Sequence, residues 1–195
     1  MMEFYQELTL LPQDEISIHF LWSKVFQQLH LGLVELQDSQ KQVPIGVSFP
    51  EYVVGEKFSL LGSKCRLFAA GQVTLENLDI GKWLQRLSDY VHVTSIRLVP
   101  NQVMGYATYQ RLQAKTNPES LARRYARRHQ LSFDEAWQRY SSMQPLSIST
   151  PFIRLNSLSS GQTFCLWIKK NAVQEAQTGQ FSSYGLSATS TVPEF

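Results

Sequence analysis

Cysteine is scarce in this chain of 195 residues: Cys65 and Cys165 are the only two, and they lie far apart. A disulfide framework or a thiolate metal site needs more thiols at shorter spacing, so both read as core residues. The four histidines, His19, His30, His92 and His129, are equally scattered. Nothing has metal-ligand spacing, so no structural zinc and no cofactor are expected. No carboxylate cluster suggests a two-metal site, because Asp134 and Glu135 read as helix-start residues. No apolar run is long enough to span a bilayer, and the opening Met1-Met-Glu-Phe-Tyr-Gln-Glu lacks a signal peptide's basic and apolar regions. A cytoplasmic protein without a membrane partner is the expectation. Internal repeats and low-complexity tracts are missing as well. What remains, 43% hydrophobic and 17% charged residues, excludes disorder and supplies ample material for a core.

Charge is present but unevenly placed. Residues 1–100 hold 8 Lys and Arg against 11 Asp and Glu, whereas residues 101–195 hold 10 against 5. The net charge of +2 therefore hides a polarised molecule. Segregated positive charge is an electrostatic footprint for nucleic acid. Its centre is the stretch Arg111-Leu-Gln-Ala-Lys-Thr-Asn-Pro-Glu-Ser-Leu-Ala-Arg-Arg-Tyr-Ala-Arg-Arg-His129. Extended backbone would turn Arg111, Gln113 and Lys115 to one face. A helix start follows, with Thr116 or Asn117 as cap, Pro118 at the first helical position and Glu119 at the positive end of the dipole. Arg123, Arg124, Arg127 and Arg128 then form two i,i+4 pairs, each costing an isolated helix about 0.2–0.5 kcal/mol. A solvated helix face would look the same, but a docked polyanion would remove the penalty. Nucleic-acid binding is the reading the charge asymmetry favours.

Taken in order, residues 4–10 alternate as a first strand. Pro12, Asp14 and Glu15 mark a helix start, and Ile18, Leu21, Trp22, Val25, Phe26, Leu29 and Leu33 follow at helical spacing. Residues 43–49 and 63–69 read as strands. Thr74 caps a second amphipathic helix running through Leu75, Leu78, Ile80, Trp83, Leu84 and Leu87, and residues 92–99 form a fourth strand. The order β-α-β-β-α-β predicts an α+β fold of ferredoxin-like, RNA-recognition type over residues 1–100. Pro100 and Asn101 mark the boundary to a smaller α/β domain over 101–195, which carries the arginine helix. That second part holds an extended run at 104–115 and a helix entered through the capping-box sequence Ser132-Phe-Asp-Glu135. After Pro145 come strands at 152–155 and 163–169, joined by a Ser/Gly-rich turn at 157–161, and a last short strand within 179–187. With few helical apolar residues of its own, the second part is expected to pack against the first.

Several short stretches then fall into one pattern: Leu29-His30, Ile45-Gly-Val-Ser-Phe-Pro50, Gln113-Ala-Lys-Thr-Asn-Pro-Glu119, the Arg-Arg-x-x-Arg-Arg-His helix, Ser160-Gly-Gln-Thr-Phe164 and Ser183-Tyr-Gly-Leu-Ser187. In this order and spacing, over nearly the whole length, the chain resembles the CRISPR-associated endoribonucleases that cut precursor CRISPR RNA within each repeat in subtype I-F systems. The resemblance implies a ferredoxin-like N-terminal domain and a C-terminal domain that grips a repeat hairpin. It implies that the arginine helix lies along the stem's major groove, and that Arg111 and Gln113 read base edges at the stem's foot. Lys115 falls in the same RNA-binding stretch, and Phe164 would stack on the RNA nearby. His30 and Ser157 match the catalytic pair, with Tyr184 in support. Other subunits of a type I-F surveillance complex are implied as partners. Ser120 and Ala122 stand where some relatives have arginine, implying a lighter grip or a different stem. Asn156 stands where a basic residue can occur.

The chemistry agrees with those roles. RNA carries its own nucleophile, the 2′-hydroxyl, and cleavage needs it deprotonated and aligned with phosphorus. An imidazole is the natural base, and positioned proton transfer contributes about 10²–10⁴-fold. Taken alone, His30 near a helix end would be structural, and Ser157 would be a turn serine. Placed in the family pattern, His30 is the base and Ser157 either aligns the ribose or acts as a nucleophile, the former fitting RNA chemistry better. His129 caps the basic helix or touches RNA. The expected reaction is metal-independent, giving a 2′,3′-cyclic phosphate and a 5′-hydroxyl. A different class also fits the basic helix: a hairpin-RNA-binding subunit of a larger ribonucleoprotein that does not cut. A general nucleic-acid-binding domain fits less well, since it gives no role to His30 or Ser157.

Overall fold

Leu8 and Leu10 point inward from strand β1 (Phe4–Leu10), the centre of the first sheet. The computed structural model describes residues 1–11, 13–56, 58–113, 118–142, 149–157 and 161–195. Pro12, Lys115, Thr116, Asn117, Pro145 and most of the 157–161 turn, all given weight by the sequence, lie outside the described residues. Helix α1 (Ile18–Glu35) begins later than Asp14 and Glu15 suggest. Its N-cap is Ser17, whose hydroxyl accepts from the Phe20 N–H at 3.3 Å, a contribution of about 1 kcal/mol. Leu21, Trp22, Val25, Phe26, Leu29 and Leu33 are buried along one stripe, as their spacing predicts.

The strand expected over 43–49 is two strands, β2 (Gln42–Val43) and β3 (Gly46–Ser48). Pro44 sits between them and cannot donate to a ladder. A small hairpin, β4 (Val53–Val54) and β5 (Ser59–Leu60), leads to β6 (Lys64–Ala69). The second helix is also interrupted. It starts at α2 (Gln72–Leu78) after Gly71, so Thr74 lies inside its first turn and does not cap it. Asp79 then takes a left-handed conformation with φ 44° and separates α2 from α3 (Ile80–Leu84), which runs into a 3₁₀ turn over Gln85–Leu87. The fourth strand divides into β7 (Val91–Val93) and β8 (Arg97–Leu98), both pairing with β1. The antiparallel sheet runs β3-β6-β1-β7.

The second sheet contains β9 (Gly105–Leu112), β10 (Phe152–Asn156), β11 (Thr163–Val173) and β13 (Val192–Glu194), in the order β10-β11-β9-β13. Between them, β12 (Phe181–Ser182) pairs with β2. Strand β13 was not legible from the sequence because Pro193 argues against a strand. It is tolerated because β13 is at the sheet edge. These are mixed α and β elements, and no helix among the described residues is long and apolar enough to cross a membrane.

The compact units do not divide at residue 100. Met1–Leu112 and Thr150–Phe195 form one, and Gln113–Ser149 forms the other. Burial explains the difference. Ala107, Tyr109, Ile153, Leu155, Leu166 and Ile168 from the second sheet belong to the same buried cluster as Leu8, Phe26 and Phe68. The later strands therefore share the first half's core, as their lack of independent apolar helices predicts. In the other unit, α4 (Pro118–His129) starts at Pro118 as expected and packs on α5 (Phe133–Tyr140). Gln130 ends α4 in the left-handed region at φ 55°, and the Leu131 N–H reaches the Ala126 carbonyl. The capping box forms, with Glu135 accepting from the Ser132 N–H at 2.9 Å and hydroxyl at 2.7 Å. Those two donors hold the Glu135 carboxyl below the usual carboxylate range.

Gly46 is where the carboxyl-terminal strands close onto the first sheet. A Cβ there would lie 2.6 Å from both Phe181 Cζ and Val192 Cγ1. Gly46→Ala is expected to cost about 1–3 kcal/mol through overpacking. A lowered urea midpoint with an unchanged denaturant slope is the expected result; an unaltered midpoint would mean that the Phe181 ring and the Val192 methyl can move aside freely.

Candidate active site and nucleic-acid interface

His30 lies one residue past buried Leu29 on α1, which turns its ring to the rim of the core. Its Nδ1 is 2.8 Å from the Ser183 carbonyl oxygen. A carbonyl can only accept, so Nδ1 carries the proton and Nε2 keeps the lone pair. Burial pushes the imidazole below its ordinary value of 6.5, with the Ser183 carbonyl partly opposing the shift. The neutral ring is therefore the dominant form at neutral pH, with its basic nitrogen fixed by a backbone atom. That carbonyl is itself held in place. β12 pairs with β2, Gly185 N–H donates to Ser182, and Val47 N–H donates to Gly185.

Tyr184 stacks on His30, with ring centres 4.2 Å apart and planes 12° from parallel. On the tyrosine's other contact, the Arg111 guanidinium carbon is 5.6 Å from its ring centre, and it is 5.3 Å from that of Phe164. Each such contact contributes about 0.5–1 kcal/mol when exposed. Sheet geometry produces the arrangement. Along β9, Ala107 and Tyr109 point into the core, and Arg111, two positions on, leaves the same face at the rim. On β11, Phe164 precedes buried Leu166 and Ile168 on that face. His30, Tyr184, Arg111 and Phe164 thus form a continuous aromatic and cationic row.

Ser157 closes the site at the end of β10. Its N–H donates to the Gln162 carbonyl and its carbonyl accepts from Gly161, both at 2.8 Å. His30, Ser157, Phe164 and Tyr184 line one open cleft of about 300 Å³ together with Gln27 and Asn156. Asn156 is engaged locally: its N–H points at Gln27 Oε1 at 3.4 Å, and its Oδ1 accepts from Thr163 at 2.9 Å. Sequence reasoning missed Gln27, although its place three residues before His30 puts it on the same helix face. Among the described residues no group of three or more His, Cys, Asp or Glu side chains is placed to hold a metal ion.

Not every predicted residue joins this cleft. β9 ends at Leu112, so Arg111 alone lies in the strand that was to carry Arg111, Gln113 and Lys115; Gln113 follows it, exposed, and Lys115 is outside the described residues. In the other unit, Arg123, Arg124, Arg127 and Arg128 are all exposed on α4. At about 100° per residue they cover an arc of about 140°. Arg123 pairs with Glu119; among the described residues Arg124, Arg127 and Arg128 have no carboxylate partner. The opposite face carries buried Ala122 and Ala126 against Ala136. Ala122 is therefore no gap in the basic face, because its position packs on α5. His129 packs on Tyr125 with ring centres 4.2 Å apart and planes tilted by 35°.

The whole chain has relatives. A model of the family described as CRISPR-associated protein (Cas_Csy4) matches residues 5–195. The CRISPR-associated endonuclease Cas6/Csy4 of Escherichia coli (strain UTI89 / UPEC) is 35% identical over 195 residues, covering 100% of both chains. The CRISPR-associated endonuclease Cas6/Csy4 of Pseudomonas aeruginosa (strain UCBPP-PA14) is 37% identical over the same full span of both. A solved structure described as an RAMP protein binding different RNA substrates aligns over 99% of each chain at 11% identity and TM-score 0.40, a likeness too distant to bear on function. A family match from residue 5 to the last residue, with more than a third of positions identical to full-length relatives, decides kinship: the chain belongs to the Cas_Csy4 family of CRISPR-associated proteins.

Proposed function

We propose that this protein is an endoribonuclease that binds the stem-loop of a CRISPR repeat and cuts precursor CRISPR RNA at the 3′ base of the stem. The observation that carries the reading is the His30 imidazole, protonated at Nδ1 by its bond to a backbone carbonyl and facing an open cleft beside a ring-and-guanidinium row. Its relatives' name, CRISPR-associated endonuclease, supports the same reaction class. In the proposed step, His30 Nε2 removes the proton of the 2′-hydroxyl. The 2′-oxygen attacks the adjacent phosphorus, the bond to the 5′-oxygen breaks, and that oxygen takes a proton. The products are a 2′,3′-cyclic phosphate and a 5′-hydroxyl, and no metal has a role. Ser157 orients the ribose, and Tyr184 holds the imidazole plane.

Recognition divides between the two compact units. The arginines of α4 contact stem phosphates, joined by Lys115. Arg111 and Gln113 read base edges at the foot of the stem, where the terminal pair is open from its end. Phe164 stacks on that pair. The strand order β3-β6-β1-β7, with helices in the two crossovers, supports the ferredoxin-like reading of the amino-terminal half. The cut hairpin stays bound, and the protein serves within a type I-F surveillance complex in the cytoplasm. The competing reading is a hairpin-binding subunit without cleavage, which the exposed arginines alone would equally favour.

His30→Ala separates the two. It should bind the cognate hairpin nearly normally yet cut at least about 10²-fold more slowly. A 2′-deoxy nucleotide before the cut should abolish cleavage by the wild type, and EDTA should change neither result. Full activity without the imidazole would leave the binding subunit in front.

The lowered imidazole predicts a pH profile. A base works when unprotonated, so the single-turnover rate should climb with pH and reach half its plateau below the 6.5 of an unperturbed histidine. A rate still rising steeply above pH 7 would contradict a buried neutral His30 as the base.

Salt tests the arginine face. Replacing Arg124 and Arg128 by Ala should weaken hairpin binding and lower the slope of log K against log salt by about 0.9 for each lost phosphate contact, on the duplex-DNA scale. Unchanged slope would mean that this face does not meet the phosphates.

A further inference from the structure

Three of the eight Lys and Arg residues in the first hundred positions, Lys24, Lys82 and Arg86, line a single groove. It lies between α1 and the α3–3₁₀ segment, with a volume of about 530 Å³. Gln27, Gln28 and Trp83 line it as well, and Glu35 is its one carboxylate. The part of the chain that is net acidic therefore presents a local basic channel. Its floor is set by close packing: Gly32 of α1 faces Trp83, and a Cβ there would come within 2.9 Å of the indole nitrogen. Lys82 and Arg86 are exposed and, among the described residues, have no acidic partner. Beside the groove, Phe20 is 53% exposed with the Lys24 ammonium 5.2 Å from its ring centre. Flat aromatic surface next to cationic side chains suits unstacked bases and their phosphates.

Continuity with the catalytic cleft identifies the occupant. Gln27 lines both openings, with Lys24 one turn before it and His30 one turn after. A strand whose scissile phosphate meets His30 has two exits. On its 5′ side it is paired in the stem; on its 3′ side it is single-stranded and continues past the imidazole. We infer that the groove between α1 and α3 holds the single-stranded RNA immediately 3′ of the cut, with Lys24, Lys82 and Arg86 on its phosphates. The inference rests on the endoribonuclease reading, since it is the cut that defines the strand. It gives the α1–α3 face a role in substrate capture that ends with cleavage, when the downstream RNA is freed from the hairpin.

The test uses the full-length protein and cognate hairpins blocked by a 2′-deoxy nucleotide before the cut. One hairpin ends a single nucleotide beyond the cut, one carries about ten further nucleotides on the 3′ side, and one carries them on the 5′ side. Wild type should bind the 3′-extended hairpin about tenfold more tightly than the short one at low salt. Its salt slope should be steeper by about 0.7 for each added single-strand phosphate contact. Lys82→Ala/Arg86→Ala should erase that gain while binding the short hairpin as before, and Lys24→Ala should reduce it. Equal affinity for short and 3′-extended hairpins would overturn the inference. So would a gain confined to the 5′ extension, or a gain that the double variant keeps. A double variant that keeps the gain but sheds a protein subunit would assign the groove to a protein partner instead. If wild type neither binds nor cuts the unblocked short hairpin, the endoribonuclease reading fails; normal cutting without a 3′ gain removes only the groove.

Discussion

The pairing of β9 with β11 is the constraint on which the site depends. Seven antiparallel partners run from Tyr106 opposite Val173 to Leu112 opposite Trp167. Because side chains alternate, this register decides at once which residues are core and which reach the rim. It puts Ala107 and Tyr109 inside and delivers Arg111 to the rings of Phe164 and Tyr184. A slip by one residue would exchange the faces, turning Tyr109 and Arg111 together away from the core side and bringing Gln110 toward it. Hydrophobic burial thus fixes the position of a cation whose own interactions are too weak to fix it.

Register is reinforced by a buried polar knot. The Tyr109 hydroxyl lies 3.1 Å from the Phe49 carbonyl and 3.0 Å from Glu194 Oε1, and Lys170 pairs with the other Glu194 oxygen. Burial, together with the Glu194 charge, pushes the Tyr109 phenol far up, so it stays a neutral donor. Glu194 belongs to the edge strand β13 and Phe49 follows β3, so one phenol ties the second sheet to the first. Leaving any member of such a set without its partner inside the core would cost about 1–3 kcal/mol. That is why the last strand, short and interrupted by Pro193, still holds its place.

These long-range ties mark the limit of what could be read from the chain. Periodicity made α1 legible because its burial is set by one continuous stripe, and the Ser132–Glu135 box was legible because capping is local. The break at Asp79 escaped because a left-handed aspartate has no strong sequence signal. The boundary at residue 100 was misplaced because Pro100 resembles a linker while the burial joining the two halves is between residues distant in sequence. At the site, family pattern supplied His30, Ser157, Phe164 and Tyr184, and all four line one cleft. The Ser183 carbonyl that selects the tautomer could not be foreseen, since every residue has a carbonyl and only tertiary placement singles one out.

The arginine helix follows a different logic. Its two like-charge i,i+4 pairs together cost under about 1 kcal/mol, and Glu119 offsets part of that for Arg123. Against this, α4 and α5 bury three alanines, flanked by Tyr125 and Tyr140. Methyl groups contribute far less than the roughly 1.5–3 kcal/mol of a buried leucine or phenylalanine. The hairpin of helices therefore leans on local devices: Pro118 at its start, the left-handed Gln130, and the Ser132–Glu135 box. A sequence selected for stability alone would place acids among Arg124, Arg127 and Arg128 or larger side chains at Ala122 and Ala126. Retaining bare guanidinium groups on a thinly packed support makes sense when the missing counter-charge comes from outside the chain. The proposed phosphate backbone would supply it in the required form, as a row of anions for three arginines that, among the described residues, have no carboxylate to give up first.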